Sequence, residues 1–347
     1  MLAYEFSHGA TMTLVERPLP QAEPGGVLLD VVVAGICGTD LKIARGEHRL
    51  FPEGTVRVPG HEFVGVVREN RSARAELAPG TVVAIAPNVG CGTCVACTGG
   101  RSNLCTAYES VGLTFDGAFA EAVAMPARAV EQGNLLPLPA GTDPVVGALV
   151  EPVAAVLRGV RSLGLTASDS LLICGAGPIG LIAILVARQL GVEQIIVSQT
   201  SELRRQLARE FGATSTIDPR AESLPERVHE MTEARGADCV LVCTPAPSAF
   251  REALHAAALG GRINFFAGLP SGRGEIPLDA NLVHYRELVV TGSTANTTQD
   301  CVDALELLLA DPEPYARIVS HTSPLRDIAA AMASMAAGES LKAMVQP

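Results

Sequence analysis

The sequence predicts an α/β protein in which a doubly wound parallel sheet accompanies a β-rich segment. Three observations support this prediction: a glycine-rich turn between an apolar strand and a helix at 171–190, alternating strands and helices over 171–291, and turn-separated apolar runs over 1–150. Alternating strands and helices favour one parallel sheet, and apolar runs between Gly- and Pro-containing turns are typical of strands. The length of 347 residues indicates two domains.

The strand–turn–helix segment carries the pattern G-x-G-x-x-G. Leu171–Cys174 has the apolar character of a buried strand, and a helical run follows as far as Leu190. Gly175 would permit a tight turn, Gly177 would let the backbone approach a pyrophosphate, and Gly180 would let helix and strand pack closely. The free N–H groups and positive dipole end of the helix would face the phosphates. The pattern therefore predicts a dinucleotide site, with a purely structural turn as the alternative.

The other predicted elements follow along the chain. Strands in the β-rich part are predicted at Val27–Val33, Phe63–Val67 and Val82–Ala86. The predicted parallel sheet continues with strands at Gln194–Ser198, Asp238–Cys243, Arg262–Ala267 and Leu288–Thr291, and a helix at Glu202–Phe211. From about Ala295 the chain is predicted to be mostly helical, with helices at Gln299–Ala310 and Leu325–Gly338. A membrane span over Leu171–Ala187 is disfavoured because that run contains three Gly and one Pro and is shorter than about twenty residues.

The composition is that of a globular protein and excludes several classes of partner. Hydrophobic residues make up 48% and charged residues 18% of the chain. A net charge of −11, without a stripe of Lys and Arg, argues against a nucleic-acid partner. The first residues lack the order of a signal peptide, so we expect a cytoplasmic protein with no membrane partner. The nine Cys are therefore expected to be metal ligands and core thiols and not disulfides.

Four cysteines lie within fifteen positions in a glycine-containing lobe at 88–107. Their spacing is Cys-x2-Cys-x2-Cys-x7-Cys, formed by Cys91, Cys94, Cys97 and Cys105. Four thiolates can close a tetrahedral Zn²⁺ site with no open position, which would fold a loop too polar to fold alone. An iron–sulfur cluster is the competing interpretation. Zinc is favoured because the chain also carries a second set of zinc-type ligands.

The second set of candidate ligands is scattered along the chain. It comprises Cys37 in Cys-Gly-Thr-Asp, His61 and Glu62 in Gly-His-Glu, and Glu151 in Glu-Pro. Thiolate, imidazole and carboxylate all bind zinc, and an incomplete protein set leaves room for water or substrate. Taken singly, each could be a buried thiol, a hydrogen-bonded turn histidine or a solvated carboxylate. Their joint occurrence with the lobe and the dinucleotide turn favours a catalytic metal site.

In their order and separation these motifs resemble those of the zinc-containing, medium-chain alcohol dehydrogenase family, over nearly the whole chain. The resemblance implies that 1–152 form a barrel-like, GroES-like catalytic zinc domain that includes the lobe at 88–107. It further implies an inserted Rossmann dinucleotide-binding domain at 153–290 and a return to the catalytic domain at 291–347. Glu151 stands where some members have a second Cys, and its Ala-Leu-Val-Glu-Pro setting is similar to the polyol and sugar (sorbitol dehydrogenase-like) branch. Asn281–Leu288 is similar to the same branch and is interpreted as structural.

The resemblance also implies two zinc ions per chain, one structural in the lobe and one catalytic. Cys37, His61 and Glu62 would hold the catalytic ion, and Glu151 would either ligate it or hydrogen-bond its water. The ion would polarise a substrate hydroxyl as a Lewis acid, and hydride would pass to a nicotinamide.

Residues near these ligands have implied roles as well. Thr39 matches the hydroxyl that begins the family's proton relay, and Asp40 would orient the metal-bound histidine. Lys42 stands where some relatives have a relay His, which leaves the later relay steps open. Ala295 lies near the place where some polyol dehydrogenases offer an Arg to substrate.

The choice between NADP and NAD depends on the turn after the second predicted strand. An acidic residue that would bind the NAD ribose is absent there, because Gln199 occupies its place. Ser198, Thr200 and Ser201 could donate to a 2′-phosphate, and Arg204 and Arg205 follow, with a solvated helix face as their alternative role. NADP is therefore slightly favoured over NAD. The predicted cofactor-binding residues are Gly175, Gly177, Pro178, Ile179, Gly180, Ser198, Gln199, Arg204, Thr244, Gly268 and Leu269.

The sequence thus predicts a zinc-dependent oxidoreductase that transfers hydride between NAD(P) and a secondary alcohol of a polyol, cyclitol, sugar or sugar phosphate. A homodimer or homotetramer is the expectation of the resemblance. A non-catalytic dinucleotide-binding sensor or structural protein is the alternative, and a zinc-free quinone or enone reductase is disfavoured by the lobe and the Gly-His-Glu motif. A basic cluster could contact a phosphorylated or acidic substrate or form a solvated loop; it consists of Lys42, Arg45, His48 and Arg49.

Overall fold

The computed structural model describes residues 1–7, 11–269, 272 and 274–347. The chain forms two compact units, Met1–Ala154 with Ala295–Pro347, and Ala155–Thr294. The strands are β1 (Leu2–Ser7), β2 (Thr11–Glu16), β3 (Val27–Gly35), β4 (Glu62–Asn70), β5 (Val82–Ile85), β6 (Asn88–Val89), β7 (Glu109–Ser110), β8 (Ala122–Met125), β9 (Leu135–Pro137), β10 (Ser170–Cys174), β11 (Gln194–Ser198), β12 (Ser215–Ile217), β13 (Ala237–Val242), β14 (Ala257–Phe265), β15 (Val289–Gly292), β16 (Val319–Pro324) and β17 (Lys342–Gln346). The helices are α1 (Gly38–Ala44), α2 (Val95–Thr98), α3 (Ala127–Glu131), α4 (Pro144–Gly147), α5 (Val150–Ser162), α6 (Pro178–Gln189), α7 (Glu202–Glu210), α8 (Leu224–Met231), α9 (Pro247–Ala256), α10 (Ala280–Tyr285), α11 (Thr298–Ala310), α12 (Pro312–Ala316) and α13 (Ile328–Ala337).

The unit at 155–294 contains a six-stranded sheet in the order β12-β11-β10-β13-β14-β15. Every neighbouring pair in it is parallel. The first three strands form one half and the last three form the other, so the direction of winding reverses between β10 and β13. The predicted doubly wound parallel sheet is therefore confirmed, and its switch point is the place where ligands bind in such sheets.

The glycine-rich turn joins β10 to α6. All five residues of β10 are buried, as expected for a central parallel strand, and α6 begins at Pro178, whose missing N–H has no partner to lose there. A Cβ at Gly180 would lie 2.0 Å from the carbonyl oxygen of Gly175, so only glycine fits. The alternative of a membrane span over Leu171–Ala187 is wrong, because the run is divided between β10 and α6. Among the helices of the described residues, none is long and apolar enough to cross a membrane.

The other unit is built on a mostly antiparallel sheet in the order β16-β17-β3-β4-β5-β9, with β8 paired to β3. β17 is antiparallel to β3 and parallel to β16, so a strand from 342–346 completes a sheet that begins near residue 27. These two strands differ from the prediction that the final part is mostly helical. Each spans only five or six residues, which is too short for a periodic pattern to distinguish strand from helix. The predicted helix at Gln299–Ala310 corresponds to α11.

The core of this unit contains side chains from β1, β3, β4, β5, β8 and β9. Its largest fully buried side chains include Phe63, Phe119, Leu77 and Ile85. The four-cysteine lobe projects from the same unit between β6 and β7, which pair as a two-stranded ribbon. The lobe therefore begins and ends at this ribbon, which contains Asn88 and Ser110.

Candidate active site

The lobe brings its four cysteine sulfurs close together. The Sγ–Sγ distances are 3.6 Å for Cys94–Cys97, 3.8 Å for Cys94–Cys105 and 3.9 Å for Cys91–Cys97. Thiolates about 2.3 Å from a tetrahedral zinc ion are separated by about 3.8 Å. The four thiols therefore fit one metal ion, and they are too close together to surround a cluster of several iron atoms.

Backbone N–H groups of the lobe point at these sulfurs. Cys91 N donates to Cys105 Sγ at 3.2 Å, Cys94 N donates to Cys91 Sγ at 3.3 Å, and Ala107 N donates to Cys105 Sγ at 3.3 Å. Hydrogen bonds to a thiolate favour its charged form. Those from Thr93, with help from Cys94, lower the pKa of the Cys91 thiol to about 5. The lobe thus stabilises the thiolate of Cys91, whereas burial raises the pKa of the Cys97 thiol to about 11.

In the same unit, Cys37 is the N-cap residue of α1 (Gly38–Ala44) and carries the first candidate ligand of the second site. Its Sγ accepts from the backbone N of Thr39 at 3.2 Å, and its own N–H donates to Asp40 Oδ2 at 2.9 Å, which forms a capping box. Burial raises the pKa of the Cys37 thiol, and the Asp40 carboxylate adds to the shift. Thr39 is half-buried in the first turn of α1, and Lys42 lies in the last turn of the helix.

His61, at the entrance to β4, lies against this sulfur. Its Nε2 is 3.4 Å from Cys37 Sγ, close to the roughly 3.6 Å expected between a thiolate and an imidazole on one tetrahedral zinc. Burial alone would lower the pKa of His61, but Cys37 and Asp40 raise it well above its usual value. His61 Nδ1 and Asp40 Oδ1 are buried and lie 3.9 Å apart, and neither atom has a hydrogen-bond partner among the residues that the structure describes. The structure therefore places Asp40 beside the imidazole but not in hydrogen-bond contact with it.

Glu62, the next residue, has a buried partner that was not predicted from the sequence. Lys342 Nζ contacts Glu62 Oε2, and these residues are 3% and 2% exposed. A Cβ at Gly35 would lie 2.5 Å from Glu62 Oε2, so the glycine leaves the space that the carboxylate occupies. Burial alone would lower the pKa of Lys342, whereas Glu62 and Cys37 raise it, so the pair is an ion pair. One carboxylate of the candidate site is therefore paired with a lysine of β17, the strand beyond β3 in the same sheet.

Glu151 interacts electrostatically with His61 and Glu62 but is not one of the three residues whose ligand atoms lie closest together. Ligand atoms of Cys37, His61 and Glu62 lie within 4.8 Å of one another, and the Glu151 carboxylate does not belong to that group. Burial raises the pKa of Glu151, while His61 opposes the shift. Asn296 Nδ2 donates to Glu151 Oε1 at 2.8 Å. The cluster combines sulfur, nitrogen and oxygen donors with an excess of acidic groups, which suits a divalent cation such as Zn²⁺.

The predicted basic cluster consists of side chains in different environments. Arg45 is exposed and pairs with Glu47 at 3.0 Å, so its charge is matched locally. Burial, together with the charges of Arg49 and His61, lowers the pKa of His48 to about 4, so His48 is neutral near pH 7. Arg49 is exposed.

The predicted cofactor residues of the other unit surround the end of β10. A Cβ at Gly177 or at Gly268 would meet nothing within 4 Å, so the backbone is open to a ligand at both places. Thr244 packs across Gly175, 3.2 Å from its would-be Cβ. This open turn at a helix N-terminus fits a pyrophosphate. Pro178 and Ile179 open α6, Ser198 ends β11, and Leu269 packs against the core of this unit.

Two arginine side chains contact the turn after β11, and one of them was not predicted from the sequence. Arg205, and not Arg204, contacts this turn: its Nη1 donates to Gln199 O at 2.6 Å and pairs with Asp218 at 3.0 Å. Arg204 has no hydrogen-bond or ion-pair partner among the described residues. Arg220, which sequence reasoning missed, donates to Thr200 O and also pairs with Asp218. Asp218 therefore offsets part of the positive charge that Arg205 and Arg220 bring to this turn.

Together, a doubly wound sheet with an open phosphate-type turn and a buried thiol–imidazole–carboxylate cluster define the class: a metal-containing, nucleotide-dependent oxidoreductase. Comparison with known proteins agrees. The alcohol dehydrogenase GroES-like domain family matches residues 23–139, and the zinc-binding dehydrogenase family matches residues 178–310. Among curated relatives, L-threonine 3-dehydrogenase of Bacillus velezensis is 32% identical over 96% of this chain and 95% of its own length. The 2-dehydro-3-deoxy-L-galactonate 5-dehydrogenase of Pseudoalteromonas atlantica is 31% identical over 100% and 98%.

A solved structure described as a zinc-binding dehydrogenase from Sinorhizobium meliloti, bound to NADP, superposes with a TM-score of 0.89. It is 31% identical and covers 100% of this chain and 99% of its own. The chain belongs to the zinc-containing, medium-chain alcohol dehydrogenase family. It is accordingly an NAD(P)-dependent dehydrogenase, and the predictions of family, fold class and enzymatic nature are confirmed.

Proposed function

We propose that the chain oxidises a secondary alcohol of a hydroxy acid, sugar acid or phosphorylated polyol, with two zinc ions per chain and NADP as the preferred acceptor. The observation that carries the proposal is the cluster of Cys37, His61 and Glu62, whose ligand atoms lie within 4.8 Å of one another. The lobe would hold the structural ion through four thiolates. The polyol and sugar branch is supported by Glu151 in the place of a cysteine ligand.

Cys37, His61 and Glu62 would hold the catalytic ion, and Glu151 would bind it directly or through a hydrogen-bonded group. Zinc bound there would act as a Lewis acid toward a substrate hydroxyl and so ease its deprotonation. The nicotinamide would accept the hydride from the carbinol carbon. The remaining tasks belong to this chain's side chains.

Proton movement would begin at Thr39, whose hydroxyl stands two residues after the Cys37 ligand and can both accept and donate a hydrogen bond. Asp40 would align His61, since it lies 3.9 Å from Nδ1 and already fixes the backbone of Cys37. Lys342 would hold the buried carboxylate of Glu62 in place through their ion pair. Because Lys42 replaces the relay histidine of some relatives, the proton would leave Thr39 by another route, such as solvent.

An anionic substrate is supported by charge and by the relatives. Lys42 and Arg49 follow the Cys37 ligand along the chain, and Arg49 is exposed without an ion-pair partner among the described residues. The two curated relatives act on L-threonine and on 2-dehydro-3-deoxy-L-galactonate by name, and both names denote carboxylates. An arginine with an unmatched charge would attract a carboxylate or phosphate.

NADP is supported by three features of the turn after β11. Gln199 replaces the acid that would bind the NAD ribose, Arg204 has no partner among the described residues, and Arg220 lies at the Thr200 carbonyl. The Sinorhizobium meliloti relative is bound to NADP. The family resemblance further predicts a homodimer or homotetramer.

The test combines metal analysis with cofactor and substrate panels. We expect about two zinc ions per chain and turnover of anionic hydroxy compounds, with NADP favoured over NAD. Arg204→Ala should lower kcat/KM for NADP about tenfold and leave that for NAD nearly unchanged, since a charged phosphate contact contributes about 1.5 kcal/mol. Arg209→Ala, further along α7, is the control. A clear preference of the wild type for NAD would contradict the cofactor proposal, and absence of metal at Cys37 and His61 would contradict the mechanism.

A further inference from the structure

A chain of buried side-chain amides leads from the base of the lobe to Glu151. Asn296 is fully buried and Asn88 is 5% exposed. Asn88 Nδ2 donates to Asn296 Oδ1 at 2.7 Å, and Asn296 Nδ2 donates to Glu151 Oε1 at 2.8 Å. Tyr108 Oη and Ser110 Oγ donate to Asn88 Oδ1 at the other end. All of these residues belong to the unit at 1–154 and 295–347.

The direction of this hydrogen-bond chain is fixed by the backbone. Asn88 Nδ2 also donates to Asn296 O at 3.2 Å, and Asn296 Nδ2 also donates to Glu151 O at 3.2 Å. A backbone carbonyl can only accept, so in both amides the nitrogen must face that way. Cys301 Sγ adds a donor to Asn296 Oδ1 at 3.3 Å. Asn296 therefore cannot rotate its amide without placing oxygen against oxygen on the Glu151 side.

The consequence for Glu151 is asymmetric. Its Oε1 is held by an N–H donor, while its Oε2 has no hydrogen-bond partner among the described residues. A donor to one carboxylate oxygen fixes the rotation of the whole carboxylate group. The free oxygen is then the one left for a metal ion or for a group bound to it.

We propose that Asn296 is a positioning residue that acts through Glu151, orienting its carboxylate so that Oε2 serves the candidate metal site. Asn88, in β6, holds Asn296 in place through a hydrogen bond. Tyr108 and Ser110 in turn hold the amide of Asn88. The inference rests on the proposed function, since it presumes that Glu151 takes part in metal or substrate binding. It adds a residue that does not itself touch metal, cofactor or substrate.

The test is a double-mutant cycle between Asn296→Asp and Glu151→Ala in the zinc-loaded, full-length enzyme, assayed with the best alcohol from the substrate panel. The aspartate is nearly isosteric but replaces the N–H donor by an oxygen. We expect N296D to lower kcat about 10- to 100-fold, as for other residues that hold metal-site groups in place. The double variant should be within about twofold of E151A alone, because both changes act on one carboxylate.

A second readout uses Co²⁺ in place of zinc at the catalytic site. N296D and E151A should change the visible absorption band of the bound Co²⁺ or its affinity in the same direction. Asn264→Asp is the matched control: Asn264 is equally buried, but its amide bonds Ser162 in the other unit. N264D should show a comparable loss of thermal stability and an unchanged Co²⁺ spectrum. Should N296D fail to fold, Asn296→Ala takes its place in the same cycle.

Three results would overturn the inference: additive losses in the cycle, wild-type kcat in N296D, or wild-type kcat in E151A. Failure of the proposed function is recognised separately, because the wild type would then lack catalytic metal or turnover before any substitution. An active, metal-containing wild type with an additive cycle would reject Asn296 as a positioning residue and leave the proposed function intact.

Discussion

The two candidate metal sites of this chain are built in opposite ways. The lobe collects four like ligands within fifteen positions and stabilises them with its own backbone N–H groups. The site at Cys37 collects unlike ligands from separate elements and buries His61 and Glu62 almost completely. It also depends on a lysine 280 positions away from Glu62. The ligands of the lobe are close in sequence, so this site can form when its own segment folds. The ligands of the dispersed site come together only when the whole unit has folded.

The largest expected difference between the two sites concerns activity. Cys37→Ser should remove one zinc per chain and lower kcat by about 10³-fold or more, because a Lewis acid supplies several kcal/mol of transition-state stabilisation. Cys97→Ser should also remove one zinc, but its main effect should be local unfolding of the lobe, measured by limited proteolysis and thermal denaturation. Cys239→Ala, a buried thiol of the other unit, is the control. Equal losses of kcat in both metal-site variants at a temperature where each is folded would break the distinction.

A smaller effect should test whether the dispersed site depends on remote charge. Lys342→Ala leaves the Glu62 carboxylate buried without its partner and should destabilise the metal-free protein by about 3 kcal/mol. Lys342→Arg retains the charge and should recover part of that loss. Zinc should shrink the difference, because a cation at the site replaces the ammonium. Urea unfolding with chelator and with zinc measures the difference in free energy of unfolding between wild type and variant in the metal-free and in the zinc-loaded protein. A metal-free Lys342→Ala protein as stable as the wild type would contradict the prediction.

The smallest effect concerns the backbone that leads to Asn296. Ala295 has φ 52°, a left-handed conformation that costs a residue with a Cβ about 1 kcal/mol. Ala295→Gly should therefore raise the free energy of unfolding by about 0.5 kcal/mol with unchanged kcat. Ala330→Gly, at an exposed position in α13, should lower it by about 1 kcal/mol instead. A destabilised Ala295→Gly variant would show that the turn is not strained.

The sequence predicted correctly those sites whose residues are close together along the chain. The cysteines of the lobe and the glycines of the dinucleotide turn are close in sequence, so their spacing alone brings them together. Strand and helix periodicity likewise predicted the parallel sheet. Cys37 and His61 were found only because each stands in a short motif, and the structure places their Sγ and Nε2 atoms 3.4 Å apart.

Sequence reasoning failed where a partner is chosen by tertiary packing. Lys342 begins a five-residue apolar strand and carries no sign that its charge is buried. Asn88 and Asn296 are single amides without a spacing rule, and only the fold shows that they meet. At the cofactor turn, Arg204 and Arg205 were equivalent in sequence, but helix geometry turns only Arg205 back to the Gln199 carbonyl. Register and long-range pairing decide these cases, and neither can be obtained from composition or periodicity.

The position of β17 has a consequence for biosynthesis. A ribosome delivers the segment 155–294 without interruption, so its parallel sheet can close while translation continues. The neighbouring edge of β3 must wait for residues 342–346, and until they emerge Glu62 has no ammonium beside it. The end of β3 at Ala34 and Gly35 is thus the last part of this strand to find its partner.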